Sequence, residues 1–241
     1  MSHDPRFDAL FDPRGVIVAG VSTHPGKFGF VVLHNLLAGG YGGEVFPVHR
    51  EGEPVLGRDT YRSIDDVPAG HADLVVVCTP AAANPQILRS AAERGVRAAF
   101  ITSAGYGESD AAGQRAQDEL VELADSLGLL LVGPNGQGVV STPASMCAQI
   151  VAPMPPPGSI GVASQSGNFV SSFLNLARQS RVGVSRAVSV GNAASVGVID
   201  MLEYFADDPS TSVGLVYVEG VADGRRFADR LAAVCARMPV V

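Results

Sequence analysis

Three short stretches carry residue types and spacings suited to anionic ligands. The first is Gly20-Val-Ser-Thr-His-Pro-Gly-Lys-Phe-Gly29, between an expected strand and an expected helix. Glycines there let backbone approach a phosphate, and a helix start offers free N–H groups and the positive end of its dipole. Ser22 adds a hydroxyl, and Lys27, the chain's only lysine, adds a formal charge. A tight turn without ligand gives the same pattern, which is not the G-x-G-x-x-G dinucleotide fingerprint. The second is Ser164-Gln-Ser-Gly-Asn168, opening another expected helix. Ser164, Ser166 and Gly167 could cradle a phosphate or oxyanion, or simply cap the helix. Neither serine sits in the G-x-S-x-G context of a nucleophile elbow. The third is Glu219, where a strand expected over 213–218 ends. A carboxylate there could accept an imidazole N–H and favour the nitrogen that attacks phosphate, or could be an ordinary surface charge.

The ligand class follows from the second expected strand. A dinucleotide fold that takes NAD wants an acid at that strand's end. Here the sequence reads Val48-His49-Arg50, with Glu51 behind. Arg50 suits a phosphorylated ribose, as in NADP or the 3′-phosphate of CoA, or is a solvated surface charge. No hydride-transfer constellation is evident, which ranks CoA above NADP. Other strand-end loops are small or turn-forming and leave room: Thr79-Pro80-Ala81, Ser103-Ala104-Gly105 and Gly133-Pro134-Asn135-Gly136. Each is also compatible with plain turn chemistry.

The elements that must position these loops alternate. Apolar runs at 16–19, 44–48, 73–78, 97–102 and 129–132 predict strands; helical patterns fall at 28–38, 84–94 and 111–127. Continuous rather than alternating apolar runs mean strands covered on both faces. The fold class is therefore α/β, a Rossmann-like doubly wound parallel sheet. Pro153 and Met154-Pro-Pro-Pro-Gly158 interrupt the pattern and read as a linker over 153–158 between domains at 1–152 and 159–241. The second domain repeats the alternation: strands at 159–163, 186–190 and 213–218, helices at 167–180, 198–206 and 223–238. Gly191-Asn192 caps the middle strand and would shape the same pocket. Pro239-Val-Val241 reads as the start of a further buried strand, which makes the second domain an incomplete flavodoxin-like one.

Composition narrows the partners. A net charge of −7 argues against a nucleic-acid or anionic-membrane surface. No apolar run approaches the ~20 residues of a membrane span, and no secretory signal core is present, so the default location is cytoplasmic. Cys78, Cys147 and Cys235 have no metal-ligand spacing, and no metal site is expected.

Taken together, these residues resemble the CoA-binding region of the NDP-forming acyl-CoA synthetases, a family that includes ADP-forming acetyl-CoA synthetases and the related succinyl-CoA synthetase α subunit. The matching stretches are Phe11-Asp-Pro-Arg-Gly-Val-Ile-Val-Ala-Gly-Val-Ser22, Val45-Phe-Pro-Val48, Thr102-Ser-Ala-Gly105, Gly133-Pro-Asn135, Ser164-Gln-Ser-Gly167, Val188-Ser-Val-Gly-Asn192, Leu202-Glu-Tyr-Phe-Ala-Asp-Asp-Pro209 and Tyr217-Val-Glu-Gly220, in family order. The resemblance implies a relay: a carboxylic acid and ATP give an acyl phosphate, CoA attacks it, and phosphate passes to a histidine. The phosphohistidine then serves an ATP-grasp domain or β subunit, where ATP or ADP with Mg is bound. It further implies that Gly20, Ser22 and Lys27 meet the CoA phosphates, Arg50 meets the adenosine end, and Thr79, Pro80, Ser103, Ala104 and Asn135 line the pantetheine path. Glu219 would orient the phosphohistidine. Two departures stand out. No histidine follows His71, so the relay histidine would lie outside this chain, which alone is expected to be inactive. Gly136 replaces the cysteine usual after Gly-Pro-Asn, which would enlarge the acyl pocket or mark an altered substrate. A non-catalytic CoA-binding module or regulatory subunit, and an NAD(P)-dependent oxidoreductase, are the alternatives. An exposed sheet edge leaves a homo-oligomer open.

Overall fold

The computed structural model describes residues 4–151 and 153–241. It opens on a short helix, α1 (Arg6–Phe11), followed by β1 (Gly15–Ala19), α2 (Phe28–Ala38), β2 (Glu44–Val48) and β3 (Leu74–Val77). Then come α3 (Asn84–Glu93), β4 (Ala98–Ile101), α4 (Ala111–Ser126) and β5 (Leu130–Val132). The five strands are all parallel and run in the order β2-β1-β3-β4-β5. Every residue of β1, β3, β4 and β5 is buried, as continuous apolar runs require. Alternate side chains serve opposite faces. Val16, Val18, Leu74 and Val76 pack with Val32, Leu33 and Leu36 of α2. Ile17, Val75, Val77 and Ile101 pack with Leu88 of α3 and Leu120 of α4.

The order 2-1-3-4-5 is the flavodoxin-type variant of a doubly wound sheet, with its topological switch between β1 and β3. The order in which strands are added reverses there, the flanking loops diverge, and a crevice opens above the carboxyl ends of the two strands.

The second sheet holds β6 (Gly138–Ser141), β7 (Met146–Gln149), β8 (Pro157–Ser164), β9 (Val184–Ser189) and β10 (Val213–Tyr217), in the order β10-β8-β9-β6-β7. β8 pairs in parallel with β9 and β10; β6 runs antiparallel to β7 and β9. Helices α5 (Gly167–Ser180), α6 (Val198–Asp207) and α7 (Gly224–Cys235) complete it. The expected parallel strands are present, but the sheet is mixed. Its β6–β7 hairpin precedes the proline-rich stretch, and β8 begins within that stretch, at Pro157. The hairpin escapes a sequence reading because β6 opens on a glycine and β7, Met-Cys-Ala-Gln, carries no β-branched or aromatic residue. Gly138 has φ +135°, and an ideal Cβ would lie 2.3 Å from the Ala148 carbonyl oxygen, so only glycine fits.

One core joins the sheets. Phe11 of α1 stacks on Tyr204 of α6 with ring centroids 5.0 Å apart, and both belong to the cluster that includes Val16, Leu33 and Val188. Beside it lies a buried ion pair, Arg186 Nε to Asp208 Oδ2 at 3.0 Å. Arg186 also donates to the Phe11 carbonyl at 3.3 Å and to the Ser141 hydroxyl. One guanidinium thereby ties α1, β6, β9 and the end of α6 together. Residues 239–241 lie beside β10: Gly214 N–H donates to Pro239 at 2.9 Å and Val216 N–H to Val241 at 2.9 Å. That is the start of a parallel pairing, as the Pro-Val-Val pattern predicts.

Candidate functional site

Two cavities meet at the β1/β3 switch point and share Gly20 and Thr79. The larger, about 580 Å³, is lined by Gly20, Ser22, Lys27, Thr79, Pro80, Ser103 and Ala104, seven of the nine residues assigned to the cofactor from sequence. The smaller, about 230 Å³, is lined by an eighth, Arg50. The ninth, Asn135, lies on the loop after β5 at the far side of Ser103, whose carbonyl accepts its N–H at 2.9 Å.

Backbone geometry shapes the larger cavity. Gly20 sits at φ +84°, and its N–H and that of Val21 both donate to the Val48 carbonyl at 3.1 Å. An ideal Cβ on Gly29 would lie 2.1 Å from the Gly20 carbonyl oxygen. The first turn of α2 can therefore press against the loop only through glycine. No side chain caps α2, so its start is free to serve an anion. Ser22 accepts the His24 N–H at 3.1 Å, which orders the loop tip.

A hydrogen-bonded cluster that the sequence reading missed holds the opposite wall. Asn84, fully buried at the start of α3, accepts from Thr79 Oγ1 at 3.1 Å. Its amide donates to Ser103 Oγ at 3.2 Å and Tyr106 Oη at 2.8 Å. Ser103 Oγ in turn donates to the Thr79 carbonyl at 2.6 Å. The Thr79 and Ser103 hydroxyls are thus committed to fixing two strand ends at a set separation. Asn84-Pro85 in the sequence was the available signal, since proline favours the first helical turn. Cys78 lines the same cavity; burial pushes its thiol up to about 12, against a weaker opposing Thr102 hydrogen bond, so it stays protonated at neutral pH.

The second sheet has its own switch point, between β8 and β10. Gln165 spans it: Oε1 accepts the Glu219 N–H at 2.6 Å and the Gly220 N–H at 3.1 Å, and Nε2 donates to the Gly220 carbonyl at 3.0 Å. Glu219 itself is exposed, just beyond the end of β10. Ser166 is the N-cap of α5 and accepts the Phe169 N–H at 3.3 Å. Ser164 is fully buried; its hydroxyl donates to the Ser166 carbonyl at 2.9 Å and accepts the Ser166 N–H at 3.0 Å, so it shapes the loop from within. Gly167 lies against Gln137, whose Cγ would be 2.4 Å from an added Cβ. The adjoining cavity, about 450 Å³, is lined by Gln165, Asn192, Asp200, Gly220 and Arg230, and not by Ser164, Ser166, Gly167 or Glu219. Arg230 is held by Glu203 and Asp200, each with a contact of 2.6 Å, and the Glu203 hydrogen bonds lead in raising its pKa.

The crevices are joined by a polar junction. Asn192 Nδ2 donates to Gln117 Oε1 at 2.9 Å and to Glu108 Oε2, and its Oδ1 accepts from Asn135 Nδ2 at 3.3 Å. Partial burial pushes the Glu108 carboxyl up. The Asn192 amide and the Gly105 and Tyr106 N–H groups outweigh it and hold the carboxyl below its ordinary value. Gly191, at φ +54°, brings the loop so close that a Cβ would lie 2.1 Å from the Pro134 carbonyl oxygen. Gly136 opens no extra pocket: an ideal Cβ would meet the Phe100 ring at 2.6 Å and the Ser189 carbonyl at 2.7 Å. The space a side chain would take is already filled.

Among the described residues no group of three or more His, Cys, Asp or Glu could hold a metal ion, and no helix is long and apolar enough to cross a membrane.

Residues 14–142 match the family model described as a CoA binding domain, and residues 157–241 match that of the succinyl-CoA ligase like flavodoxin domain. The α subunit of ADP-forming acetate–CoA ligase I from Pyrococcus furiosus is 37% identical over 238 residues, covering 97% of this chain and 51% of the relative. ADP-forming acetate–CoA ligase I from Archaeoglobus fulgidus is 37% identical over 234 residues, covering 97% of this chain and 34% of the relative. Among solved structures, the dinucleotide forming acetyl-coenzyme A synthetase 1 of Ca. Korarchaeum cryptofilum, in complex with phosphate and ADP, superposes with a TM-score of 0.90 at 31% identity. That match covers 97% of this chain and 50% of the other. The chain thus spans about half the length, or less, of these relatives.

Proposed function

The chain belongs to the family whose model is described as a CoA binding domain, and from that premise we propose that it is the CoA-binding and acyl-transfer portion of an NDP-forming acid–CoA ligase. The observation that carries this reading is the placement of two switch-point crevices on one polar junction. A cofactor whose phosphates sit at the Gly20–Lys27 loop can extend past Thr79 and Ser103 toward Asn135 and Asn192.

Each residue's task follows from its position. The free start of α2 and Lys27 neutralise the diphosphate. The Asn84 cluster ties the Thr79 and Ser103 loops to one another and so fixes the wall along which the pantetheine chain would run. Ser166 and Gly167, at the start of α5, stabilise negative charge on an acyl phosphate when the thiol attacks the acyl carbon and phosphate leaves. Glu219, tethered through Gln165, accepts an imidazole N–H so that the other ring nitrogen faces that phosphate. The imidazole comes from outside these residues, because no histidine follows His71. The carboxylic acid substrate and an ATP-grasp partner, which binds ATP or ADP with Mg, complete the reaction in the cytoplasm.

Calorimetric titration of the purified chain with CoA tests this directly. Saturable binding that weakens at least about five-fold in Lys27→Ala is expected, the worth of one charge-assisted contact to phosphate. Absence of heat at millimolar CoA overturns the reading.

A further inference from the structure

The smaller switch-point cavity carries a second arginine that the sequence reading did not single out. Arg50 and Arg62 both line it, from the loops after β2 and before a short 3₁₀ turn at Ile64–Asp66. Arg50 is 95% exposed and reaches only the neighbouring Glu51, at 3.6 Å. Arg62 makes no hydrogen bond or ion pair among the described residues. Its stem nevertheless has a definite seat. Gly52, at φ +71°, would place an ideal Cβ 3.0 Å from Arg62 Nε and 3.1 Å from its Cγ. The glycine lets the arginine lie flat on the 49–52 turn, closed by Gly52 N–H to the His49 carbonyl at 2.8 Å. A seated stem under a free guanidinium is a preorganised donor fork.

Asp65 lines the same cavity, its carboxylate accepting from Ser63 Oγ at 3.1 Å. One unpaired guanidinium and a second that meets only its neighbour Glu51, beside one carboxylate, suit a phosphate monoester with a hydroxyl next to it. The guanidiniums take the phosphate, and the carboxylate takes the hydroxyl proton. A 3′-phosphorylated ribose with its free 2′-hydroxyl has that arrangement. The cavity joins the diphosphate loop at Gly20 and Thr79, which is where the ribose end of a nucleotide diphosphate would emerge.

We propose that Arg62 acts with Arg50 as a clamp on the ribose 3′-phosphate of CoA, and that Arg62 makes the protein discriminate CoA from 3′-dephospho-CoA. This rests on the CoA-binding reading above and adds to it the residue that sets cofactor specificity.

The test is calorimetry of the intact chain with CoA, 3′-dephospho-CoA and NADPH, for wild type, Arg62→Ala and Arg62→Lys. Wild type should bind CoA at least about ten-fold tighter than dephospho-CoA, the value of one bidentate phosphate contact. Arg62→Ala should lose most of that ratio while binding dephospho-CoA like wild type, which also shows that the variant is folded. Arg62→Lys should recover part of it, because a lysine restores charge without the fork. An unchanged ratio in Arg62→Ala, or equal binding of both ligands by wild type, overturns the clamp and leaves CoA binding standing. Tighter binding of NADPH than of CoA moves the phosphate to the 2′ position and also overturns it. Failure of wild type to bind either CoA form overturns the functional reading, and the clamp with it.

Discussion

Asn192, on the loop leaving β9 in the second sheet, donates its side-chain amide to Glu108, on the loop leaving β4 in the first. The Glu108 carboxylate simultaneously receives the Gly105 and Tyr106 N–H groups. The contact therefore fixes the conformation of one strand-end loop by reference to a residue of the other sheet. Because Ala104 of that loop lines the larger cavity at the β1/β3 switch point, the second sheet sets part of its shape.

Removing that carboxylate should be felt as lost affinity. Glu108→Ala removes the acceptor of two backbone N–H groups and one of the two hydrogen bonds from Asn192 Nδ2, which keeps Gln117, each loss worth about 1 kcal/mol. CoA affinity of the purified chain should fall about three- to ten-fold, with a smaller loss in Glu108→Gln, which keeps an acceptor oxygen. Titration calorimetry reads both; an undiminished affinity in Glu108→Ala contradicts the link between junction and cavity.

The Asp73 carboxylate gives a pH signature. The Arg14 guanidinium and backbone N–H, at 2.7 to 2.9 Å, hold it below the usual carboxylate range, although burial acts the other way. A depressed carboxyl stabilises the fold fully above its unfolded pKa of about 3.9. The contribution is lost as pH falls through the lower folded value. Asp73→Asn should melt about 3 to 6 °C lower than wild type at pH 7, the effect expected for one or two such hydrogen bonds. The difference should shrink in scans below about pH 4.

Breaking the buried pair at the sheet boundary should cost more. The Arg186 and Asp208 side chains are 7% and 3% exposed, and Arg186→Ala leaves Asp208 without its counter-charge in the core. Urea unfolding should show a loss of about 3–5 kcal/mol. Burial alone would raise the Asp208 carboxyl, but the Ser210 N–H, Arg186 and Thr211 hold it low. Arg186→Met combined with Asp208→Asn should therefore be less damaging than Arg186→Ala. A double variant as unstable as the single one would show that the pair itself is not the source.

Gly136→Cys tests whether the residue expected from the family can stand here at all. Its Cβ would collide with Phe100 and the Ser189 carbonyl, so a destabilisation of about 1–3 kcal/mol is expected from overpacking. Adding Phe100→Leu should recover part of it, as measured by thermal melts of the single and double variants.

Thiol chemistry separates the cysteines. Burial raises the Cys78 and Cys147 thiols to about 12, which leaves roughly one part in ten thousand as thiolate at pH 8. Cys235 is exposed. An aromatic disulfide reagent should titrate one thiol quickly in the native protein and the remaining two only on unfolding.

Much of the first sheet was legible because its strands are uninterrupted apolar runs and its ligand loops follow them directly. Gly20, Lys27, Thr79 and Ser103 could be named because strand-end position alone brings them together. α1 was not legible: its six residues carry too little periodicity, and what holds Phe11 is Tyr204, some 190 residues away. Arg62 and Asn84 were missed for the same reason, since their roles depend on which loops meet in space. Ser164 is the converse case: its type and spacing suggest a ligand group, and its hydroxyl bonds within its own turn.

The β6–β7 hairpin has a consequence for how the molecule divides. Residues 138–149 belong by chain order with the first sheet and by hydrogen bonding with the second. A protease cut within the proline-rich stretch would leave the second sheet still holding two strands of the upstream fragment, so the fragments should copurify. A recombination point placed at 153–158 would instead deliver to a new host a sheet lacking a flank, with the edge of β9 bare. The transferable module of this architecture starts before Gly138, upstream of the prolines that most visibly punctuate the chain.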